Sequence, residues 1–586
     1  PMHSPTDRID LLVSFDAETV VRHARDVVPE GGIIYDPKLT DTPLEKIPTL
    51  EAHAQATLGA YLEERKLDKT VGRMLEDAKQ RGIRCFPIPY DELLNQLSEA
   101  LGGVSFIILR KVINTLAVAA SCRLLGYDIG FLEKALADVF RGKQKVIDMN
   151  VQASRITYEY ASEELDPSDD FPYCLEPIET DEPQVYLNGN QAVALGKILA
   201  GCSFQSYYPI SPATDESVYL EAHPTFPLNG DQEQGSILVV QTEDEIAAIT
   251  MATSAALIGA RAATSTSGPG FSLMAEGLGW AGMNEVPVVV TLYQRGGPST
   301  GLPTRHEQGD LRFALHAGHG EFPRIILASG DLEECFYDAA QVFNYAERYQ
   351  TPTIHLIDKA LASTTQTYPI FNTDDVRIER GQLLSEAELE NEDEYRRFRF
   401  TETGVSPRTI PGTRGGIFWN TGDEHDERGH ITENPTLRSR MMEKRNRKLE
   451  TAAVEIPSEE KWNLFGDPEA ETIILSWGST KGAILEAMER LSEEGHRLRF
   501  LQVRLLSPLP ADDIREILGS AKRRIGIEMN LSAQFAGWVR EKTGITMNYQ
   551  VVKYNGRPIS SDELYEALQM ILSGDAPERI VLSRGV

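Results

Sequence analysis

Residues 262–297 read AATSTSGPGFSLMAEGLGWAGMNEVPVVVTLYQRGG. Two apolar runs, Ala262 to Thr266 and Val288 to Tyr293, each stop abruptly. The first gives way to Ser267-Gly268-Pro269-Gly270, the second to Gln294-Arg295-Gly296-Gly297. Short apolar runs bounded by turn residues read as buried strands. Runs of the same kind flank them: Phe204 to Tyr207, Ile237 to Val240, Arg324 to Ala328 and Thr353 to Ile357. Helical stretches lie between, at Asn190 to Ala200, Asp244 to Leu257 and Leu332 to Arg348. Strands alternating with helices predict a doubly wound, parallel α/β domain over 184–370.

In such sheets ligands bind beyond the carboxyl ends of the strands. Four predicted ends carry unusual residues: Tyr208-Pro209-Ile210-Ser211-Pro212, Gln241-Thr242-Glu243, Ser267 to Gly270, and Gln294 to Gly297. A carboxylate, a hydroxyl and a guanidinium therefore converge on one rim. The alternative is ordinary loop chemistry, in which Gly and Pro only make turns.

Outward from this domain, residues 1–183 have βαβ texture at the start. A strand is predicted from Ile9 to Phe15, a helix from Ala17 to Val28 ended by Gly31-Gly32, and a strand from Ile33 to Tyr35. Pro43 to Gln80 and Tyr90 to Phe140 read as mainly helical, the latter broken at Gly102-Gly103, and the acidic Ser162 to Glu182 as a linker. Residues 371–465 are charged and poor in apolar runs, and read as an irregular linker and functional loop. A third α/β domain, 466–586, has strands at Thr472 to Trp477, Arg499 to Val503 and Arg524 to Glu528, with helices at Lys481 to Glu493 and Ala511 to Ser520.

The chain has 586 residues, 41% hydrophobic and 25% charged, and a formal net charge of -30. Nucleic acids and anionic membranes recruit clustered Lys and Arg, so this balance argues against both. No apolar run reaches the ~18 residues of a membrane span, and no signal peptide is visible. The start at Pro1 points to trimming or an internal start. Cys85, Cys122, Cys174, Cys202 and Cys335 form no C-x-x-C pair. That excludes the usual iron–sulfur and zinc spacings and reads as a reducing, cytoplasmic compartment.

The Y-P-I-S-P of Tyr208 to Pro212 resembles a motif of the 2-oxoacid:ferredoxin oxidoreductases. The stretch from Ala263 to Val289, the RGGPSTGLPTR of Arg295 to Arg305, the SFDAET of Ser14 to Thr19 and the TGDEH of Thr421 to His425 resemble the same family, in the family's order. The resemblance implies a fused gamma–alpha subunit. Its parts would be a gamma-type α/β domain, a domain covering the pyrimidine end of thiamine diphosphate, and a transketolase C-terminal-like domain. Fused subunits usually open with a Gly-rich loop ahead of S-F-D-A-E-T; none precedes Ser14 here, so roles tied to that loop are unassigned.

The resemblance implies roles residue by residue. Glu243 takes the place of the glutamate at the aminopyrimidine N1′, where a carboxyl promotes the tautomer that removes the thiazolium C2 proton. The alternative, a surface acid favoured by a helix N-terminus, fits Asp244 and Glu245 better. Arg295 matches the arginine that grips the substrate carboxylate. Ser211 supplies the motif hydroxyl where many members have Thr, within the substrate-facing Tyr208, Pro209, Ile210 and Pro212. Ser267, Gly268, Pro269 and Gly270 let backbone approach the cofactor or partner, or make a tight turn. Asp423 sits in a loop expected to approach the active site. His425 and His430 match no common metal spacing, so no metal is assigned to this chain.

The implied reaction is CoA-dependent oxidative decarboxylation of a 2-oxoacid with reduction of ferredoxin, reversible for CO₂ fixation. 2-Oxoglutarate is the preferred substrate, pyruvate or a broad 2-oxoacid range the runner-up, and a noncatalytic assembly subunit the reading of a different class. No G-D-G with a following Asn is present to bind Mg²⁺-diphosphate. The diphosphate, Mg²⁺ and a [4Fe–4S] cluster are therefore expected on a separate beta subunit, in an (alpha-beta)₂ heterotetramer.

Overall fold

A computed structural model describes residues 4–165, 171–178, 180–228, 233–390 and 394–585. The chain forms two compact bodies: Thr6–Asp181, and Glu182–Val586 together with Pro1–Pro5.

The first body is α/β. Its strands Ile9–Val13, Val27–Tyr35 and Arg84–Pro87 form a three-stranded parallel sheet in that order. Asp16 caps the helix Ala17–His23 by accepting from the Thr19 amide at 2.7 Å. That helix is shorter than predicted, and the strand starts at Val27, ahead of Gly31-Gly32. β-Branched Val27 and Val28 favour the strand. Within the predicted linker the helix Gln144–Glu164 runs on to Glu164, while 166–170 and 179 lie outside the described residues.

The second body holds the predicted parallel sheet. From one edge its order is Leu505–Ser507, Ile325–Ala328, Thr353–Asp358, Val289–Gln294, Ala262–Ser267, Phe204–Tyr207 and Leu238–Gln241. All pairings are parallel except the first. Every residue of Ala262–Ser267, Val289–Gln294 and Thr353–Asp358 is buried, as central strands covered on both faces must be. The order reverses between Phe204–Tyr207 and Ala262–Ser267, which opens a crevice at their carboxyl ends.

A second sheet is built from Trp462–Gly466, Arg499–Val503, Thr472–Ser476, Arg523–Glu528, Tyr549–Lys553 and Arg579–Leu582. It takes in residues 462–465 from the stretch predicted to be irregular. The short strand Leu505–Ser507 leaves this domain and closes the edge of the first sheet. One core joins the two, packing Val290, Leu292 and Leu356 with Trp477, Leu501 and Trp538.

The predicted irregular stretch also contains a 21-residue helix, Pro435–Glu455, capped by Asn434. Its buried positions are Met441, Lys444, Arg445, Lys448 and Ala452. A face made mostly of cations leaves no apolar periodicity to read.

Candidate active site

The carboxyl ends of Phe204–Tyr207, Leu238–Gln241, Ala262–Ser267 and Val289–Gln294 form one rim. Arg295 leaves the last of these strands with only 6% of its surface exposed. Its guanidinium donates to the Ser211 carbonyl at 2.7 Å through Nη1 and to the Thr300 carbonyl at 3.3 Å through Nη2. Burial lowers its pKa, opposed by nearby Asp310. Ser211 is exposed, as are Tyr208 and Pro209; Ile210 is half-buried and Pro212 buried.

A buried polar network supports this loop. Lys197 pairs with Glu216 at 2.5 Å, and Glu216 accepts from the Tyr293 hydroxyl at 2.9 Å and from Gln205 at 3.0 Å. Asn190 donates to the Pro212 carbonyl at 3.1 Å. Lys197 and Glu216 are wholly buried, so each charge depends on the other. The backbone that carries Ser211 and Arg295 is thereby held from below.

Asp244 caps the helix Glu245–Leu257 by accepting from the Ala247 amide at 2.7 Å. The structure separates the three acids that the sequence runs together. Glu243 is exposed, while Glu245 is 6% exposed and points inward. A Cβ on Gly270 would lie 2.5 Å from Glu245 Oε1 and 2.2 Å from Thr266 Oγ1, so only glycine leaves room for that carboxyl. Glu245 is thus not the surface acid of the sequence reading; nothing in its one-dimensional context says which of three consecutive acids faces in.

Two more carboxyls stand against the Gly268 and Gly297 backbone. Asp310 lies against Gly268, where a Cβ would sit 2.8 Å from Oδ2, and its amide donates to Gln294 Oε1 at 3.1 Å. Burial, then the charge of Glu307, pushes the Asp310 pKa up to about 6. Burial also raises Glu307, which accepts from the Gly297 amide at 3.0 Å. Neither is singled out by the sequence pattern; the signal for both is their place at the end of the Gly-rich stretch after Arg295.

Among the described residues, Ser267 Oγ, Gln294 Nε2 and Arg295 Nε are buried without a hydrogen-bond partner. They belong to adjacent strand ends, since Tyr293 pairs with Ser267. Unsatisfied buried polar groups are uncommon, and a cluster of them at a crevice is suited to a polar ligand.

Asp423 is not at this rim. Its neighbour Glu424 pairs with Arg445 at 2.7 Å, and the adjacent Lys444 pairs with Glu285 at 2.6 Å. Glu285 precedes the strand Val289–Gln294, whereas Arg295 follows it. At about 3.3 Å per residue that six-residue strand spans roughly 20 Å. Asp423 is exposed, its carboxyl accepting only from the Thr421 hydroxyl at 3.2 Å among the described residues. Among the described residues no group of three or more His, Cys, Asp or Glu is placed to hold a metal, and no helix is long and apolar enough to cross a membrane.

Three family profiles match the chain. Residues 195–444 match the thiamine diphosphate-binding domain of pyruvate flavodoxin/ferredoxin oxidoreductases. Residues 1–160 match a pyruvate ferredoxin/flavodoxin oxidoreductase domain, and 470–563 core domain II of pyruvate:ferredoxin oxidoreductase. The chain is 42% identical over 591 residues to 2-oxoacid:ferredoxin oxidoreductase 1, subunit alpha, of Sulfurisphaera tokodaii, covering 100% of this chain and 91% of that protein. It is 32% identical over 474 residues to the 2-oxoglutarate oxidoreductase subunit KorA of Mycobacterium tuberculosis, covering 79% and 69%. Among solved structures it is similar to 2-oxoglutarate:ferredoxin oxidoreductase from Magnetococcus marinus with 2-oxoglutarate, coenzyme A and succinyl-CoA bound. The TM-score there is 0.79 and the identity 30%, covering 97% of this chain and 89% of that one.

Proposed function

Because this chain belongs to the alpha subunits of the 2-oxoacid:ferredoxin oxidoreductases, we propose that it forms the substrate-gripping half of a thiamine diphosphate site acting on 2-oxoglutarate. The observation that carries the reading is Arg295. A buried guanidinium, anchored through two of its nitrogens with Nε unpaired, stands over the exposed Ser211. It would grip the C1 carboxylate that every 2-oxoacid carries, while Ser211 Oγ meets the keto oxygen. The relatives named for 2-oxoglutarate, and the structure holding it, favour that substrate. The relatives of about 42% identity, named only for 2-oxoacids, keep pyruvate or a broad range as the second reading.

The rim fits half of a thiamine cofactor. An aminopyrimidine asks for a carboxyl at N1′ and for backbone close to the ring; thiamine diphosphate supplies the nucleophilic carbon when bound. Glu245 and the Gly268–Gly270 backbone answer both needs, with the unpaired Ser267 Oγ beside them. Glu243, exposed at the lip, answers only where a partner covers it. The diphosphate, Mg²⁺ and the [4Fe–4S] cluster fall to a beta subunit in an (alpha-beta)₂ assembly, with coenzyme A as acyl acceptor and ferredoxin as electron acceptor.

The test is the chain co-expressed with its beta subunit. Ferredoxin reduction should depend on coenzyme A and a 2-oxoacid, with kcat/KM for 2-oxoglutarate at least tenfold above that for pyruvate. Equal or reversed values would establish the second reading. No 2-oxoacid-dependent reduction at all would mark a noncatalytic assembly subunit.

A further inference from the structure

Between Arg295 and Asp310 the chain makes a 16-residue loop whose ends meet, since the Asp310 amide donates to Gln294 at 3.1 Å. Inside the loop the Leu302 amide donates to the Gly296 carbonyl at 2.7 Å, and the Gly296 amide to the Arg305 carbonyl at 3.1 Å. These bonds close the loop but do not place it. His306 ties it to its own domain by accepting from the Ala360 amide at 3.3 Å, and the C-terminal domain ties it from a second side.

Gln308 carries most of the ties to that domain, and the His306 amide adds one by donating to the Gly556 carbonyl at 3.2 Å. Gln308 is wholly buried, and all its polar groups are used. Its amide donates to the Met529 carbonyl at 2.7 Å, and its Oε1 accepts from the Met529 amide at 3.1 Å. Its Nε2 donates to Asp358 Oδ2 at 3.3 Å and to the Trp477 carbonyl at 3.2 Å, while its own carbonyl accepts from Asn530 at 3.1 Å. Asp358 is the register partner of Gln294, so the tie returns to the strand next to the one that carries Arg295. Gly478, at φ +64, leaves the space: a Cβ there would lie 2.6 Å from Gln308 Nε2. Gln534 adds a further tie, donating to the Gly309 carbonyl at 2.7 Å and accepting from the Arg312 amide at 2.9 Å.

We propose that Gln308 is a positioning residue for the substrate-binding arginine, through which the C-terminal domain sets the shape of the Arg295–Asp310 loop. This rests on Arg295 gripping the substrate carboxylate. Gln308 touches no reacting group; it acts by fixing where the Thr300 carbonyl and Asp310, the two loop groups that face Arg295, can stand. A buried amide with every donor and acceptor paired has one orientation, and misplacing a binding group by about 1 Å can reduce turnover by about 10²-fold.

The experiment compares Gln308→Glu, Gln534→Ala, Arg295→Lys and Lys448→Met in the assembled alpha–beta enzyme. Gln308→Glu keeps the size and the acceptor for Met529, but turns two donors into an acceptor facing Asp358 and Trp477. We expect kcat/KM for the 2-oxoacid to fall about 10- to 100-fold, mainly through KM, with half-saturation by thiamine diphosphate unchanged. Gln534→Ala should move KM the same way by a smaller factor, and it decides the matter if Gln308→Glu does not assemble. Lys448→Met, buried at the other end of the domain, should lower the melting temperature and leave kcat/KM alone. The inference is overturned if Gln308→Glu and Gln534→Ala keep KM within twofold, or if Lys448→Met raises KM as much at equal loss of melting temperature. If Arg295→Lys itself leaves KM unchanged, the carboxylate reading has failed. If it raises KM and the glutamine variants do not, only the coupling has failed.

Discussion

Arg295 donates to the backbone carbonyl of Ser211 at 2.7 Å, not to its hydroxyl. The arginine is therefore anchored whatever the side chain at 211, and the hydroxyl of this exposed residue takes no part in that anchor. Ser211→Ala should keep the melting temperature and lose one hydrogen bond to substrate. At about 0.5–1.5 kcal/mol, that is roughly 2- to 12-fold in kcat/KM. A loss above about 100-fold, or a fall in melting temperature, would mean that Ser211 also holds the loop.

Lys197 and Glu216 make a different kind of support. Both are fully buried, and Lys197→Met would strand the Glu216 carboxylate with Tyr293 and Gln205 as its donors among the described residues. Breaking such a pair from one side typically costs about 3–5 kcal/mol. The double variant Lys197→Met, Glu216→Gln should recover much of it. Thermal unfolding of both checks this: a double variant melting no higher than the single would show that the pair is not coupled.

The sequence carried the sheet and its rim because the central strands are buried on both faces and so appear as unbroken apolar runs. Arg295 and Ser211 stood out because each interrupts such a pattern at a strand end. Glu245 did not, because a helix start tolerates acids at several positions and only Gly270, in another element, shows which one turns inward. The helix Pro435–Glu455 was hidden because Lys444, Arg445 and Lys448 form its buried face. Leu505–Ser507 has three residues, too few for any period, and its partner strand lies in another domain.

That cationic face gathers two buried lysines around one carboxylate. Lys444 and Lys448 share Glu285 at 2.6 and 2.5 Å, and all three are buried. Burial, with Lys444 beside it, brings the Lys448 pKa down to about 7 against the pull of Glu285. Above that value the folded protein releases a proton that the unfolded chain keeps up to its ordinary lysine pKa of about 10.4. Stability from this group is therefore gained as pH rises from about 7 towards 10, and lost as pH falls through 7. The difference in melting temperature between wild type and Lys448→Met should grow with pH across that window. A difference that stays flat or shrinks would place the titration elsewhere.

Glu243 and Glu245 divide one proposed role between an exposed and a buried carboxyl. With the beta subunit bound, Glu245→Gln should slow hydrogen–deuterium exchange at thiamine C2 by about 10²- to 10⁴-fold, the usual weight of an acid–base partner. Glu243→Gln should alter it less than tenfold. The reverse pattern would return the role to Glu243, and unchanged exchange in both would remove this segment from proton transfer.

Arg295 itself gives the sharpest test, because its structural and binding roles can be separated. Two of its nitrogens hold the Ser211 and Thr300 carbonyls, and Nε remains buried and unpaired. Arg295→Ala removes the anchor and the charge together. Losing one partner of a buried charge pair costs about 2–5 kcal/mol in binding, or roughly 30- to several-thousand-fold in kcat/KM. Arg295→Lys keeps a cation but has no planar fork, so it cannot hold a carbonyl and a carboxylate in one plane; it should recover only part of the loss. The penalty should appear for 2-oxoglutarate and pyruvate alike, since Arg295 would bind the carboxylate they share. The melting temperature should change little in Arg295→Lys. If Arg295→Ala keeps near-wild-type kcat/KM for every 2-oxoacid, or loses activity only by unfolding, the guanidinium serves the loop and not the substrate.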